Sequence, residues 1–247
     1  LVKENAAARV REALRTSRSP RAGESVVIGS ATDPYQPAER RFRVTRSVLE
    51  ALEDARGLRI VIITKSPLVT RDIDVLTRPA TRHTIGVHIT ITTIDRDLAR
   101  RLEPRAPTPE ARLRAVRRLA DAGIAVSVNC MPVMPGITDD PRALTQLVAR
   151  VAESGATKLA ACALRLRPAS RRRYLPFVRE TFPELASSYE HTYRQSAYAG
   201  ERYREGLAAF IAKLCERYGL TTREYQYNES GDEKPEVAAV MEQLALW

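Results

Sequence analysis

No stretch of this sequence stays apolar for the roughly 18 residues that a membrane-spanning helix needs. Its opening, LVKENAAARVREAL, carries charge from Lys3 onward and reads as a helix already under way, not as a secretory leader. Cysteine is scarce. Cys130, Cys162 and Cys215 are far apart, odd in number and form no CxxC pair, which excludes a disulfide framework and points to a reducing, cytoplasmic setting. No GxGxxG or Walker loop follows any apolar run, and this weakens a nucleotide-binding open sheet. Also missing are a Ser-His-Asp grouping, carboxylates paired at hydrolase spacing, a His/Cys metal cluster and any low-complexity segment.

What is present is enough for a full core: 247 residues, 44% of them hydrophobic. Forty Lys and Arg against 30 Asp and Glu leave a net charge of +10, which favours anionic partners such as nucleic acid or a phosphorylated or carboxylated substrate. Five short β-branched runs recur: SVVIGS (25–30), LRIVIIT (58–64), TIGVHITIT (84–92), IAVSVNCMPV (124–133) and TKLAACALRL (157–166). Their nearly continuous apolarity predicts parallel strands covered on both faces. Helical periods lie between them. One places Val44, Val48, Leu49 and Leu52 on a stripe; another opens on Thr108-Pro109-Glu110 and closes at Gly123; a third runs from Asp140-Pro141 to Gly155. Strand and helix in alternation mean βαβ units, and without a nucleotide loop a partial or full (βα) barrel is the better reading.

After about Ser170 the strand signal fades and tyrosines interleave with arginines, which predicts appended helices. The last carries Leu207, Phe210, Ile211 and Leu214 on one face, and a polar loop and short final helix follow from Thr221.

In (βα) architectures the chemistry gathers at the carboxyl ends of the strands. Those ends deliver Ser30, Thr32, Asp33 and Tyr35; then Thr64, Lys65 and Ser66; then Thr90, Thr92 and Thr93; then the turn Met134-Pro135-Gly136; then Arg165 and Arg167. Small hydroxyls, one carboxylate, one lysine and arginines suit a hydroxylated zwitterion. Asp33 would accept from an ammonium, Lys65 or an arginine would face a carboxylate, and Ser or Thr would bond ribose hydroxyls.

Three segments carry a family resemblance: GSATDPYQPAERRFRVTRSVLEAL, VIITKSPLVTRDIDVL, and VHITITTIDRDLARRLEPRAPTPEARLRAVRRLADAGIAVSVNCMPVMPGITDD. Together they resemble radical S-adenosylmethionine (SAM) proteins, in the branch around spore photoproduct lyase. The resemblance runs from about Leu1 to Arg167 and rests on TDPYQP, ITKS, LEPRAP and PVMPGITD in family order. It implies a partial (βα)6 TIM-like barrel over residues 1–168, followed by a helical extension over 169–247. It also implies a [4Fe-4S] cluster at the mouth that reduces bound SAM and releases a 5′-deoxyadenosyl radical, fed by a donor such as flavodoxin or ferredoxin. The reaction would be lyase-like, on an unknown substrate for which DNA is one candidate. By motif, Ser30, Thr32 and Asp33 would meet the methionine amino group, Lys65 and Ser66 the carboxylate or ribose, and Thr90 and Thr92 the same zone. Met134, Pro135 and Gly136 match the adenine-side turn, and Tyr35, Arg165 and Arg167 a rim for substrate or anion.

The family's CxxxCxxC loop has no counterpart here, and the three cysteines cannot replace it by spacing. Five strands are readable where the family has six, and the gap falls at the same end. The expectation is therefore a chain whose first strand and cluster loop lie upstream, carrying no iron and inactive by itself. A cluster-less barrel that holds SAM or nucleic acid is the alternative, and an ordinary (βα) enzyme using Asp33 and Lys65 as acid and base is a third.

Plainer roles stand beside these. Asp33-Pro34 is ordinary turn chemistry, Ser30 and Thr32 suit strand-end capping, and Thr90 and Thr92 suit strand packing, with His88 as a core histidine on the same face. The basic run RLRPASRRRY (165–174) reads first as a solvated face and second as an anion-binding rim. Tyr174, Tyr189, Tyr193, Tyr198 and Tyr203 fit either base stacking or helical packing.

Overall fold

Each of the five β-branched runs becomes a strand, and each strand pairs in parallel with the next. They are β1 (Ser25–Ile28), β2 (Arg59–Thr64), β3 (Thr84–Thr90), β4 (Ala125–Val133) and β5 (Lys158–Ala163). The computed structural model describes residues 3–16, 22–78 and 83–222. A sixth strand, β6 (Thr221–Thr222), adds in parallel to β5 at the far edge. Its two residues fall where the sequence pattern gave only a polar tail, because so short a pairing leaves no periodic signal. The loop and final helix expected beyond it lie outside the described residues.

The helices follow in order: α1 (Ala6–Arg15), α2 (Glu39–Phe42), α3 (Val44–Leu52), α4 (Ile73–Thr77), α5 (Arg96–Leu102), α6 (Pro109–Asp121) and α7 (Pro141–Glu153). After β5 come α8 (Pro168–Thr181), α9 (Ala186–Thr192) and α10 (Glu201–Arg217). A 3-10 segment, Pro67–Asp72, links β2 to α4. The caps read from sequence are made: Thr108 accepts from the Ala111 amide and Asp140 from the Ala143 amide.

Strand order equal to chain order has a consequence. Right-handed crossovers then lay successive helices on one face of the sheet, which bends toward a barrel instead of being wound on both sides. Ile60, Ile62, Val87, Ile89, Val126, Val128 and Leu159 point to the helices and are fully buried with Leu119, Leu147 and Val148. The opposite, inner face carries only a small cluster, Ile63, Met131 and Cys162, with Val27, Val61 and Ala160 partly buried around it. Gly86, His88 and Ser127 on this face are half-exposed. The expectation of strands covered on both faces is corrected here: the sheet does not close, so its inner face remains open. Val178, Tyr189, Tyr193, Leu207, Ile211 and Leu214 of the C-terminal helices join the same core as the sheet.

One glycine fixes how the first loop leaves the sheet. Gly29 has φ +98°, and a Cβ there would lie 2.2 Å from the Ile63 carbonyl oxygen and 2.8 Å from Pro34 Cδ. Gly29→Ala should therefore cost more than about 2 kcal/mol, through strain plus a backbone clash. Gly206, exposed inside α10 with nothing near its Cβ position, should gain about 0.5–1 kcal/mol on replacement by Ala. Urea unfolding of the two variants should show shifts of opposite sign.

Candidate functional site at the strand tips

The loop after β1 is fastened by Asp33. Its Oδ1 accepts from the Tyr35 amide at 2.9 Å and from the Thr64 hydroxyl at 2.6 Å, and its Oδ2 accepts from the Lys65 amide at 2.9 Å. Thr64 Oγ1 in turn accepts from the Ser66 amide at 2.9 Å, so one carboxylate serves the ends of two strands. The loop is anchored a second time through Glu39, whose carboxylate accepts from the Thr45 and Arg46 amides in the first turn of α3 and pairs with Arg71 at 3.0 Å. Three of the roughly four acceptor positions of Asp33 are thus taken within the chain.

Lys65 points to Glu103, with which it forms an ion pair. The other oxygen of Glu103 pairs with Arg112 Nη2 at 2.7 Å. Arg112 is 3% exposed and also donates from Nη1 to the Thr90 carbonyl and from Nε to the Pro107 carbonyl, both at 2.9 Å. Burial works to raise the Glu103 pKa, but the charges and hydrogen bonds of Lys65 and Arg112 outweigh it and hold the carboxyl below its ordinary range. Neither Glu103 nor Arg112 stood out in the sequence. The signal was weak but present, since LEPRAP places a carboxylate between prolines and Arg112 occupies an apolar position of α6.

The predicted residues separate into groups. Asp33, Tyr35, Lys65 and Ser66 line a cleft of about 1170 Å³ between the loop after β1, the Pro67–Asp72 segment, residues 103–107 and α6. Ser66 also caps that segment by accepting from the Leu68 amide. Thr90 and Thr92 are buried near the end of β3, away from this cleft, with half-exposed His88 below them on the inner face. Beside Thr90 in register stands Asn129, which the sequence reading passed over. Alternation in SVNCM puts it on the inner face with Ser127 and Met131, a polar residue in an apolar run. Neither its amide nor the Thr90 hydroxyl makes a hydrogen bond to another described residue. Ser30 is half-buried and Thr32 exposed on the first loop.

The turn at Met134, Pro135 and Gly136 is braced by tyrosines. Tyr189 donates to the Pro135 carbonyl at 2.8 Å, Tyr174 to Met134 Sδ at 2.8 Å, and Tyr203 to Asp139, which accepts from the Gly136 amide. Tyr193 donates to the Leu164 carbonyl, and Tyr198 lies beneath the guanidinium groups of Arg165 and Arg204. Tyr189 and Tyr193 are buried and pack, while Tyr174, Tyr198 and Tyr203 are half-buried. Arg167 precedes α8 as its half-buried N-cap.

Comparison with known proteins decides the family. The model of the radical SAM superfamily matches residues 2–148, from α1 through most of α7. The chain belongs to the radical SAM superfamily. An uncharacterized protein of Mycobacterium tuberculosis, Rv2578c, is 34% identical over 235 residues, which is 95% of this radical SAM chain and 66% of that protein. The chain therefore spans about two thirds of the length of that relative. An uncharacterized protein of Methanocaldococcus jannaschii is 31% identical over 114 residues, 46% of this chain and 42% of its own. Among solved structures, a spore photoproduct lyase variant with bound AdoMet and dinucleoside spore photoproduct superposes with TM-score 0.63 at 15% identity, over 87% of this chain and 64% of that one. Streptococcus suis SuiB bound to its precursor peptide SuiA superposes with TM-score 0.55 at 12% identity, over 88% and 42%. At these identities the likeness is one of fold.

The family's iron–sulfur cluster does not fit the thiols of this chain. Cys130 is buried on the helix side of β4 and Cys162 on the inner face, while Cys215 belongs to α10. Burial first, then Cys215, pushes the Cys130 thiol up to about 12, away from the thiolate a cluster needs. Among the described residues no His, Cys, Asp and Glu gather into a metal site.

Glu103→Gln should leave two cations facing each other across a neutral amide and cost about 3 kcal/mol. Because the Glu103 pKa is depressed in the folded state, its stabilisation is complete above the ordinary glutamate value of about 4.3 and is lost as pH falls through the folded one. Denaturant midpoints measured from pH 6 to pH 3 should fall less steeply in the variant than in the wild type.

Proposed function

We propose that this chain is the SAM-holding barrel of a radical SAM enzyme and that SAM binds against the inner face at the carboxyl ends of the strands. The observation that carries this is the open inner face, where Thr90 and Asn129 stand side by side with no partner among the described residues. Two polar side chains with no bond to another described residue, next to an apolar patch, are what a ribose or carboxylate would complete. Ser30 and Thr32 reach the same end from the first loop, and the Met134–Gly136 turn, whose Met134 and Gly136 amides and Pro135 carbonyl are bonded within the chain, would give a flat ring a surface to lie on. When bound, SAM with a [4Fe-4S] cluster supplies adenosyl radical chemistry. The residues of this chain hold and orient SAM and keep water out.

Asp33 and Lys65 enter this reading as supports. Asp33 positions the loop that carries Thr32, and Lys65 is tied to Glu103. An acid–base pair of Asp33 and Lys65 is disfavoured by the same bonds. The reading requires the cluster thiolates to come from outside these 247 residues, because the three cysteines present are buried and their thiols are pushed away from the thiolate form. An external one-electron donor of the flavodoxin or ferredoxin kind belongs to the same proposal, as does a reducing, cytoplasmic compartment, which the free cysteines support. Among the described residues no helix is long and apolar enough to cross a membrane.

Calorimetric titration of SAM into the chain tests this. Binding should be measurable, and Asn129→Leu and Thr90→Val should each weaken it about tenfold, the loss of one hydrogen bond from a desolvated site. Absence of SAM binding, or unchanged affinity in both variants, would sink the assignment.

A further inference from the structure

The cleft beside the strand tips has a charge that the SAM reading does not use. Its lining includes Arg40, Arg71, Arg105, Arg114 and Arg118 together with Lys65, against two carboxylates, Asp33 and Glu103. Two of the six cations are neutralised within the chain. Lys65 is paired with Glu103, and Arg71 is held by Glu39 and Asp72. The other four differ. Arg40, Arg105 and Arg118 are exposed and make no salt bridge or side-chain hydrogen bond with any described residue, and Arg114, also exposed, lies near enough to Glu110 to act on its carboxylate.

The shape is as specific as the charge. On α6 the floor of the cleft is Ala111 and Ala115, and the rim is Arg114 and Arg118, so two small residues and two long cations alternate at helical spacing. Pro37, Pro67, Pro104 and Pro107 stiffen the walls, which need little ordering when a ligand enters. Tyr35, 2% exposed, completes the wall, with its hydroxyl buried beside the Asp72 carboxylate. A preformed cavity of about 1170 Å³ is at the size of a ligand site, larger than a chance surface dent.

We propose that this cleft is a second binding site, for an anion carrying two or more phosphate groups. Arginine forks match phosphate oxygens two at a time, and four of them exceed what a single carboxylate neutralises. SAM itself, with a sulfonium and an ammonium against one carboxylate, is repelled by these four arginines, which only Asp33 of the lining carboxylates is left to offset. Electrostatics therefore separates the two sites: the neutral polar inner face for SAM and the arginine cleft for the phosphorylated ligand. The inference stands on the cleft alone and does not depend on SAM binding.

Titration of inorganic tripolyphosphate into the chain at low ionic strength tests it. The double variant Arg114→Ala/Arg118→Ala should lose about tenfold or more in affinity, two charge-assisted contacts being removed. A control pair of equal charge, Arg172→Ala/Arg173→Ala on α8 outside the cleft, should change it by less than about twofold. A single-stranded decadeoxynucleotide in place of tripolyphosphate separates the sources of phosphate: binding that is lost in the α6 double variant assigns a phosphodiester chain, and tripolyphosphate binding alone assigns a compact polyphosphate. No binding of either probe, an equal loss in both double variants, or full displacement of tripolyphosphate by SAM overturns the proposal. SAM titrated separately reports on the inner face, so failure of one reading leaves the other measurable.

Discussion

Asp33 accepts hydrogen bonds from the Tyr35 amide, the Thr64 hydroxyl and the Lys65 amide, and through them the loop after β1 is tied to the end of β2. Strand ends leave backbone amides that the sheet no longer satisfies, and a buried amide without a partner is costly. Here one carboxylate and one hydroxyl meet that demand for Tyr35, Lys65 and Ser66 together. Much of the local geometry follows. With its backbone fixed, Lys65 meets Glu103; Glu103 fixes Arg112; and Arg112 supports the Thr90 carbonyl at the end of β3. Three strand tips are thereby linked through side chains instead of by closure of the sheet. In a sheet that does not close, β1 has a strand on one side only, and such links add to the pairing that holds β2 and β3.

The links have a cost in available chemistry. A carboxylate with three donors already bound has little left for an incoming ammonium, and a lysine neutralised by a buried glutamate does not face a substrate carboxylate without breaking that pair. Residues that look catalytic by type are therefore consumed as architecture. What remains for a ligand on the inner face is modest in chemistry: hydroxyls, one amide and backbone. That inventory suits a protein whose part is to place a reactive cofactor, the chemistry itself belonging to the cofactor.

The strands, the main caps and the strand-tip loops were legible because each has a strong local cause. β-branched runs such as IVIIT have one preferred state, Thr108-Pro109 and Asp140-Pro141 start helices, and Gly29 sits where no other residue fits. The inner face was less legible. Apolar residues dominate both faces of each strand, so composition did not reveal that one face is open. Asn129 was hidden for that reason, in a run that reads as core. Glu103 and Arg112 were hidden for another: their partners lie 38 and 22 residues away in sequence, at Lys65 and Thr90, and no local pattern encodes such a pairing. The tyrosines after Ser170 fit stacking or packing in sequence, and the hydroxyl bonds of Tyr189, Tyr193 and Tyr203 to Pro135, Leu164 and Asp139, which give them a bracing role, join residues far apart in the chain.

Arginine shows the same limit in another form. The surplus of +10 is a property of the whole sequence, yet individual arginines do opposite things. Arg112 is buried and its guanidinium serves Thr90, Pro107 and Glu103; Arg46 and Arg71 lie in a network with Glu39, Asp72 and Asp74 that joins α3 to the segment after β2. Those charges are matched, and their removal would strand buried carboxylates. Arg40, Arg105 and Arg118 make no salt bridge with any described residue and share one cleft. Like charges gathered without counter-charge raise the energy of the folded state unless an anion relieves them, so a chain that keeps them together while pairing their neighbours carefully has placed them for a partner outside itself. The densest basic run in sequence, RLRPASRRRY, is the weaker case by this criterion: Arg165 lies over Tyr198, and Arg171 donates to the Tyr193 and Arg194 carbonyls. Density along the chain and availability in space are different quantities, and only the second bears on binding.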